Sequence, residues 1–144
     1  MSLFSKILIP TDGSARAKTA ITKGLELAKL TNAQVTAMSI ADAGQLAYSA
    51  AGPNMVDIYR YLEQDAEMAV QQVRKEGEAM GLDVRTIVKT GNAAKEIIAA
   101  SKDFDLIVMN HLGHTGLVEH LIGGVAEKVV RLAVCPVLVV RAPG

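Results

Sequence analysis

The chain has 144 residues, half of them apolar, which is enough to close one hydrophobic core and leaves little room for a second. Its 15 basic and 15 acidic residues cancel, so it lacks the charge excess that is typical of proteins that bind nucleic acid or anionic membranes. We therefore expect one domain over residues 1–144, with no nucleic-acid partner and no membrane partner.

Strands and helices alternate in the first part of the chain. Lys6–Pro10 is a short apolar run of the kind found in buried parallel strands, and the turn residues Thr11–Ser14 follow it. Ser14 is the expected N-cap of a helix that ends near Leu30. Apolar residues recur there at three- and four-residue spacing, so one helix face can cover a sheet. A second strand is predicted at Gln34–Ile40.

The segment 43–55 is rich in small residues, glycine and proline, and it is the expected mobile connection. A long amphipathic helix is predicted from about Asn54, and Gly81 is well placed to end it. A third strand follows at Val84–Val88. No domain boundary is needed in this part of the chain.

The last part of the chain continues the alternation. After a turn and a third helix, Leu106–Met109 reads as an apolar strand that leads into a loop rich in glycine and histidine. A fourth helix follows Gly123 and Gly124, and Pro136–Val140 forms the last strand. Five strands alternating with four helices predict the α/β class, with a five-stranded parallel sheet and helices on both faces. Such sheets bind ligands at the carboxyl ends of their strands.

The compartment is predicted from the ends of the chain and from its cysteine content. Residues 1–6 lack the apolar stretch of a secretory signal, and charged residues interrupt the apolar region near the C-terminus. The single cysteine, Cys135, excludes an internal disulfide and is expected to behave as a small buried hydrophobe. We expect a soluble, cytoplasmic protein.

The first candidate site is Pro10, Thr11 and Asp12 at the carboxyl end of the first strand. A carboxylate beside a ligand crevice can accept hydrogen bonds from ribose or base donors. Alternatively, Asp12 and Ser14 only organise the turn and cap the helix. Both interpretations can be true together.

The second candidate site follows the fourth strand, where Asn110 and Gly113 precede Gly123 and Gly124. Glycines let backbone amides approach a phosphate closely, and the helix that follows adds the positive end of its dipole. The spacing matches neither the Walker motif nor the dinucleotide fingerprint. The pattern alone is not specific, since loops are commonly glycine-rich.

Three separated blocks in this order resemble the universal stress protein family: Ile7–Ser14, Asp105–Met109 and Cys135–Arg141. The resemblance covers essentially the whole chain. It implies a Rossmann-like fold of the adenine nucleotide alpha hydrolase type and a homodimer. In members that bind ATP, it also implies the pattern Gly-x2-Gly-x9-Gly-Ser/Thr.

The chain departs from that pattern twice, because Asn110 replaces the first glycine and Gly124 replaces the final serine or threonine. Asparagine tolerates a left-handed backbone and glycine is an acceptable helix cap, so the loop can keep its shape. The missing hydroxyl is expected to weaken ATP binding roughly tenfold to a hundredfold. The resemblance assigns to the adenosine end Pro10, Thr11, Asp12 and Ile40, and to the phosphates Met109, Asn110, Gly113, Gly123, Gly124 and Val125.

Three histidines, His111, His114 and His120, are close in the sequence, and Glu119 is near them. Their loop has no fixed ligand spacing of the kind seen in zinc sites, so no metal is expected. Contact between His111 or His114 and a phosphate is the alternative.

We expect a nucleotide-binding stress or signalling module that binds ATP or a related adenine nucleotide as a dimer, without efficient catalysis. No residues pair an activated nucleophile with an oriented base, and no lysine lies between Gly113 and Gly124 to neutralise a transferred phosphoryl group. In the strand order that the resemblance implies, Val137–Val140 is an apolar edge through which the homodimer would form. The alternatives are a nucleotide-free dimeric scaffold for an unidentified protein partner and a nucleotide-hydrolysing enzyme.

Overall fold

The computed structural model describes residues 3–42, 44, 55–111 and 122–142. These residues form five strands, four α-helices and one 3₁₀ turn, Ser101–Asp103, before the fourth strand. The elements are, in chain order, β1 (Lys6–Pro10), α1 (Ala17–Thr31), β2 (Gln34–Ala41), α2 (Met55–Ala79), β3 (Val84–Thr90), α3 (Ala93–Ala100), β4 (Leu106–Asn110), α4 (Gly124–Leu132) and β5 (Val137–Val140). The strands form one parallel sheet in the order β3-β2-β1-β4-β5, which confirms the predicted fold class.

The two faces of the sheet carry separate halves of the core. Ile7 and Ile9 of β1 pack with side chains of α1 and α2, whereas Leu8 packs with side chains of α3 and α4. Successive strand residues point to opposite faces, so both faces of a central strand need apolar side chains. The unbroken apolar runs of β1 and β4 follow from this burial on two faces.

The turn after β1 differs from the prediction. The Gly13 amide donates to the Thr11 hydroxyl oxygen at 3.1 Å, with Gly13 at a φ of 76°. The Ser14 amide donates to the Asp12 carboxylate at 2.9 Å. These bonds fold the segment into a turn of its own, and α1 begins only at Ala17, after an N-cap residue, Arg16, whose side chain makes no capping hydrogen bond. The prediction that Ser14 caps the helix is therefore wrong.

Most other boundaries lie within two residues of the predictions. β2, β3 and β4 are longer than predicted and end at Ala41, Thr90 and Asn110. Gly81, at a φ of 80°, follows the end of α2 as predicted. The predicted mobile connection at 43–55 lies outside the described residues, apart from residue 44 and the first residue of α2.

β3 and β5 form the two edges of the sheet. Among the described strands, β5 pairs with β4 alone, which confirms that the last strand is an edge. Leu138, in the middle of β5, keeps 42% of its surface exposed. Within the described residues, no helix combines the length and the apolar character that a membrane crossing requires.

Candidate functional site

A cleft of about 300 Å³ opens at the carboxyl ends of β1, β2 and β4. Here the sheet order reverses, because the chain places β2 on one side of β1 and β4 on the other. Open α/β sheets bind their ligands at this position. Nine of the ten residues that the resemblance assigned line the cleft: Pro10, Thr11, Asp12, Ile40, Met109, Asn110, Gly123, Gly124 and Val125. The tenth, Gly113, lies outside the described residues.

Thr11 and Asp12 form the wall beside β1. Thr11 is buried, and its amide donates to the Met38 carbonyl oxygen at 2.9 Å, which keeps the chain against β2 beyond the end of β1. Asp12 lines the cleft while its Oδ1 accepts from the Ser14 amide. The interpretation of Asp12 as a residue that organises the turn is confirmed.

The wall formed by β2, α2 and α3 contains residues that sequence reasoning did not assign to a site: Met38, Ser39, Asp42, Leu62, Asp65, Ala66, Ala93 and Ile97. Asp42 connects two elements, because its carboxylate accepts from the Gly44 amide at 3.0 Å and from the Ala93 amide at 2.9 Å. Asp65 has no hydrogen-bond or ion-pair partner among the described residues. Leu62 and Ala66 lie in the predicted amphipathic helix, whose apolar pattern indicated packing rather than a site. Asp42 directly follows β2, and this position at the carboxyl end of a strand is the signal that could have identified it.

The opposite wall is the start of α4. Gly123 is the N-cap, and its carbonyl oxygen accepts the first helical hydrogen bond from the Glu127 amide at 2.9 Å. The sequence placed the cap at Gly124, which is instead the first helical residue. The amides of Gly124, Val125 and the residue after it therefore have no partner within the helix. Free amides at the positive end of a helix dipole form a site that suits an anion.

His111 follows β4 and lines the same cleft with only 8% of its surface exposed. Its Nε2 atom is buried and has no hydrogen-bond partner among the described residues. A buried polar atom without a partner costs about 1–3 kcal/mol. A ligand that supplied this partner would recover part of that free energy.

The described residues give little support for a metal site or a reactive thiol. No group of three or more histidine, cysteine, aspartate or glutamate side chains in that part of the chain could hold a metal ion. His114, Glu119 and His120 lie outside it, so the expectation that the protein binds no metal stays a prediction. Cys135 is half-buried, and its burial raises the pKa of the thiol, which disfavours the reactive thiolate.

Comparison with known proteins places the chain among relatives of matching length. The model of the universal stress protein family matches residues 3–141. Universal stress protein MJ0531 of Methanocaldococcus jannaschii is 38% identical over 144 residues, which cover 99% of this chain and 85% of that protein. The solved structure of MJ0577 from the same organism has a TM-score of 0.81 at 28% identity and covers 99% of both chains.

Two solved structures of this fold were determined with adenine nucleotides. One is a universal stress protein in complex with cAMP, with a TM-score of 0.63 at 19% identity over 99% of this chain and all of that one. The other is an Arabidopsis thaliana protein with AMP bound, with a TM-score of 0.71 at 16% identity over 97% of this chain and 93% of that one. With its sheet order, its cleft and the match along nearly its whole length, the chain belongs to the universal stress protein family.

Proposed function

We propose that the chain binds an adenine nucleotide in the cleft and acts as a dimeric binding module without efficient catalysis. The observation that carries the proposal is the continuity of one cleft from apolar side chains on β2 and α2 to the free amides at the start of α4. An adenine ring needs an apolar surface, and a phosphate needs donors. The cleft offers an apolar surface and hydrogen-bond donors to the same nucleotide.

Asp12 supports the adenosine end of this proposal. Its Oδ1 is held by the Ser14 amide, so the orientation of the carboxylate is fixed before a ligand arrives. A fixed carboxylate is a strong acceptor for two neighbouring hydroxyl groups such as those of ribose. The turn and the binding role therefore use the same side chain.

The two departures from the ATP-binding pattern fall at the phosphate end. Asn110 ends β4, where it is buried and lies opposite Val140 of β5. Gly124 lacks the hydroxyl of its relatives, but the amides of the first turn of α4 remain. These changes support weaker phosphate binding rather than its loss.

A binding role fits the cleft better than phosphoryl transfer. All 15 lysines and arginines of the chain are among the described residues, and none of them lines the cleft. Enzymes that transfer phosphoryl groups rely on such cations to stabilise the charge of the transition state. The two solved proteins bound to AMP and cAMP share this fold, which is consistent with a nucleotide in this position.

The dimer belongs to the same proposal. β5 presents an edge that no described strand pairs, and Leu138 on it is exposed. Val130, Leu132 and Val134, which precede β5 in the chain, are also about half exposed or more. An apolar edge strand in water invites pairing with a second chain. A second copy paired at the same edge would cover Leu138.

Calorimetry with AMP, with GMP as the base control, tests the binding proposal. Val125→Glu places a carboxylate at the free amides of α4 and should remove nucleotide binding. Val56→Glu is the matched control, because Val56 is exposed on α2 and does not line the cleft. The proposal is supported if Val125→Glu abolishes AMP binding and Val56→Glu does not. A wild-type protein that binds no adenine nucleotide would instead favour the nucleotide-free scaffold.

A further inference from the structure

The charges that line the cleft are unusual for a polyphosphate site. Three carboxylates line it, from Asp12 after β1, Asp42 after β2 and Asp65 on α2. No lysine or arginine of the chain does, and the undescribed segments 45–54 and 112–121 contain neither residue type. The cleft therefore cannot offset the negative charge of a long phosphate chain with fixed cationic side chains.

Two of these carboxylates differ in how they are held. Asp42 accepts hydrogen bonds from two backbone amides, which keep its charge in place beside α3. Asp65 is exposed and has no partner among the described residues, so nothing there neutralises its charge. Both carboxylates line the same cleft as the start of α4, so they repel a phosphate bound there, and each further phosphoryl group increases that repulsion.

Among the described residues, the cleft offers a phosphate only neutral donor groups. They are the amides at the start of α4, equivalent to roughly half a positive charge, and polar side chains that line the cleft: Thr11, Ser39, Asn110 and His111. Half a positive charge offsets a much smaller share of the charge of three phosphate groups than of one.

We propose that the cleft selects an adenine ligand with a single phosphate group over ATP, with Asp42 and Asp65 as the residues that set this selectivity. The inference rests on the proposed function of the cleft. The contribution of each exposed carboxylate is modest in water, and it grows at low ionic strength, where charges separated by 10 Å still interact. We expect AMP to bind about tenfold more tightly than ATP at low salt, and the ratio to shrink as salt is added.

The experiment is calorimetry with adenosine, AMP and ATP at low ionic strength, in the presence of EDTA so that no divalent ion screens the phosphates. Asp65→Asn is the test variant, because Asp65 makes no structural hydrogen bond that the change would remove. Glu67→Gln is the matched control, with the same charge change on the same helix, outside the cleft. We expect Asp65→Asn to raise ATP affinity about threefold, to raise AMP affinity less, and to leave adenosine unchanged.

The outcomes separate the selectivity from the binding function. The inference is supported if Asp65→Asn reduces the preference for AMP and Glu67→Gln does not. Wild-type protein that binds ATP as tightly as AMP overturns the selectivity and leaves adenine nucleotide binding intact. Equal changes in Asp65→Asn and Glu67→Gln overturn the role of Asp65. Wild-type protein that binds none of the three ligands overturns the binding function, and the selectivity with it.

Discussion

The Gly123 amide donates a hydrogen bond of 2.6 Å to the carbonyl oxygen of His111. This bond fixes the start of α4 beside the carboxyl end of β4. The free amides of the helix and the buried imidazole are thereby brought to one end of the cleft. Anion binding at that end needs this closure, because a helix dipole acts only within about one turn.

Gly124→Ser should strengthen binding of AMP and ATP roughly tenfold to a hundredfold, because the hydroxyl adds one charge-assisted hydrogen bond. A Cβ at Gly124 meets nothing within 4 Å, so the side chain fits without rearrangement. Since Gly123 is the cap, the effect on stability should be a few tenths of a kcal/mol, about the difference in helix propensity. Calorimetry with adenosine is the control: an equal gain for adenosine would show that the phosphate is not involved.

Asp12→Asn should lower adenosine and AMP affinity about tenfold while leaving the melting temperature nearly unchanged. The asparagine side-chain oxygen can still accept from the Ser14 amide, so the turn is kept, whereas the charge and one acceptor are lost. Affinity and thermal melting measured on the same samples test this. Unchanged affinity would show that Asp12 organises the turn and does not contact the ligand.

His111→Leu should lower AMP affinity about threefold to tenfold and leave adenosine affinity unchanged. The Nε2 atom of His111 is buried and has no hydrogen-bond partner among the described residues, and leucine removes the hydrogen bond that this atom can donate to a phosphate. Calorimetry with AMP and adenosine on wild type and variant is the measurement. Equal AMP affinities of the two proteins would exclude His111 as a phosphate contact.

Gly77→Ala should destabilise the fold by up to about 2 kcal/mol. A Cβ on Gly77 would overlap the Val84 side chain and lie 3.3 Å from Leu25 Cδ2, so α2 must move away from β3. Overpacking of this kind typically costs about 1–3 kcal/mol, and the better helix propensity of alanine returns about 1. Urea unfolding measures the difference. Gly124→Ala, with open space around the new methyl group, is the control and should be neutral or slightly stabilising.

Leu138→Lys should convert the dimer into a monomer without unfolding it. Leu138 is 42% exposed on the edge strand, so a lysine at this position costs little in the isolated chain and repels its copy across an edge-to-edge interface. Sedimentation equilibrium at micromolar concentration reports the mass. A wild-type monomer would overturn the proposed dimer, and a variant dimer of undiminished affinity would place the interface elsewhere.

The fold was predictable from the sequence because central parallel strands need apolar side chains on both faces. Ile7, Leu8 and Ile9 show that requirement directly. The turn after β1 was mispredicted, because the side chains of Thr11 and Asp12 accept hydrogen bonds from the Gly13 and Ser14 amides. These bonds form a separate turn at the position where the sequence predicted a helix cap. The choice between turn and cap depends on backbone geometry that residue types do not determine.

The candidate site was predictable only in part. The glycines and the residues after β1 carry a local pattern, and those that are described do line the cleft. Asp42 follows β2 as Asp12 follows β1, and this position is a signal that could have identified it. Asp65 carries no such pattern, because its position in the cleft depends on how α2 packs across the sheet. Ala66 was predictable as a buried residue, because it lies in the predicted amphipathic helix. The cleft beside it was not predictable, because the cleft forms only when the helices pack on the sheet.

The central claim, that an adenine nucleotide binds in this cleft, is tested most directly by titrating ¹⁵N-labelled protein with AMP and recording amide shifts. The account predicts saturable changes at residues that line the cleft, above all Thr11, Ile40, Gly124 and Val125. The separate depression between Arg60 and Thr90 should show no change. Saturable shifts confined to that depression, or no saturable shifts at all, would contradict the account.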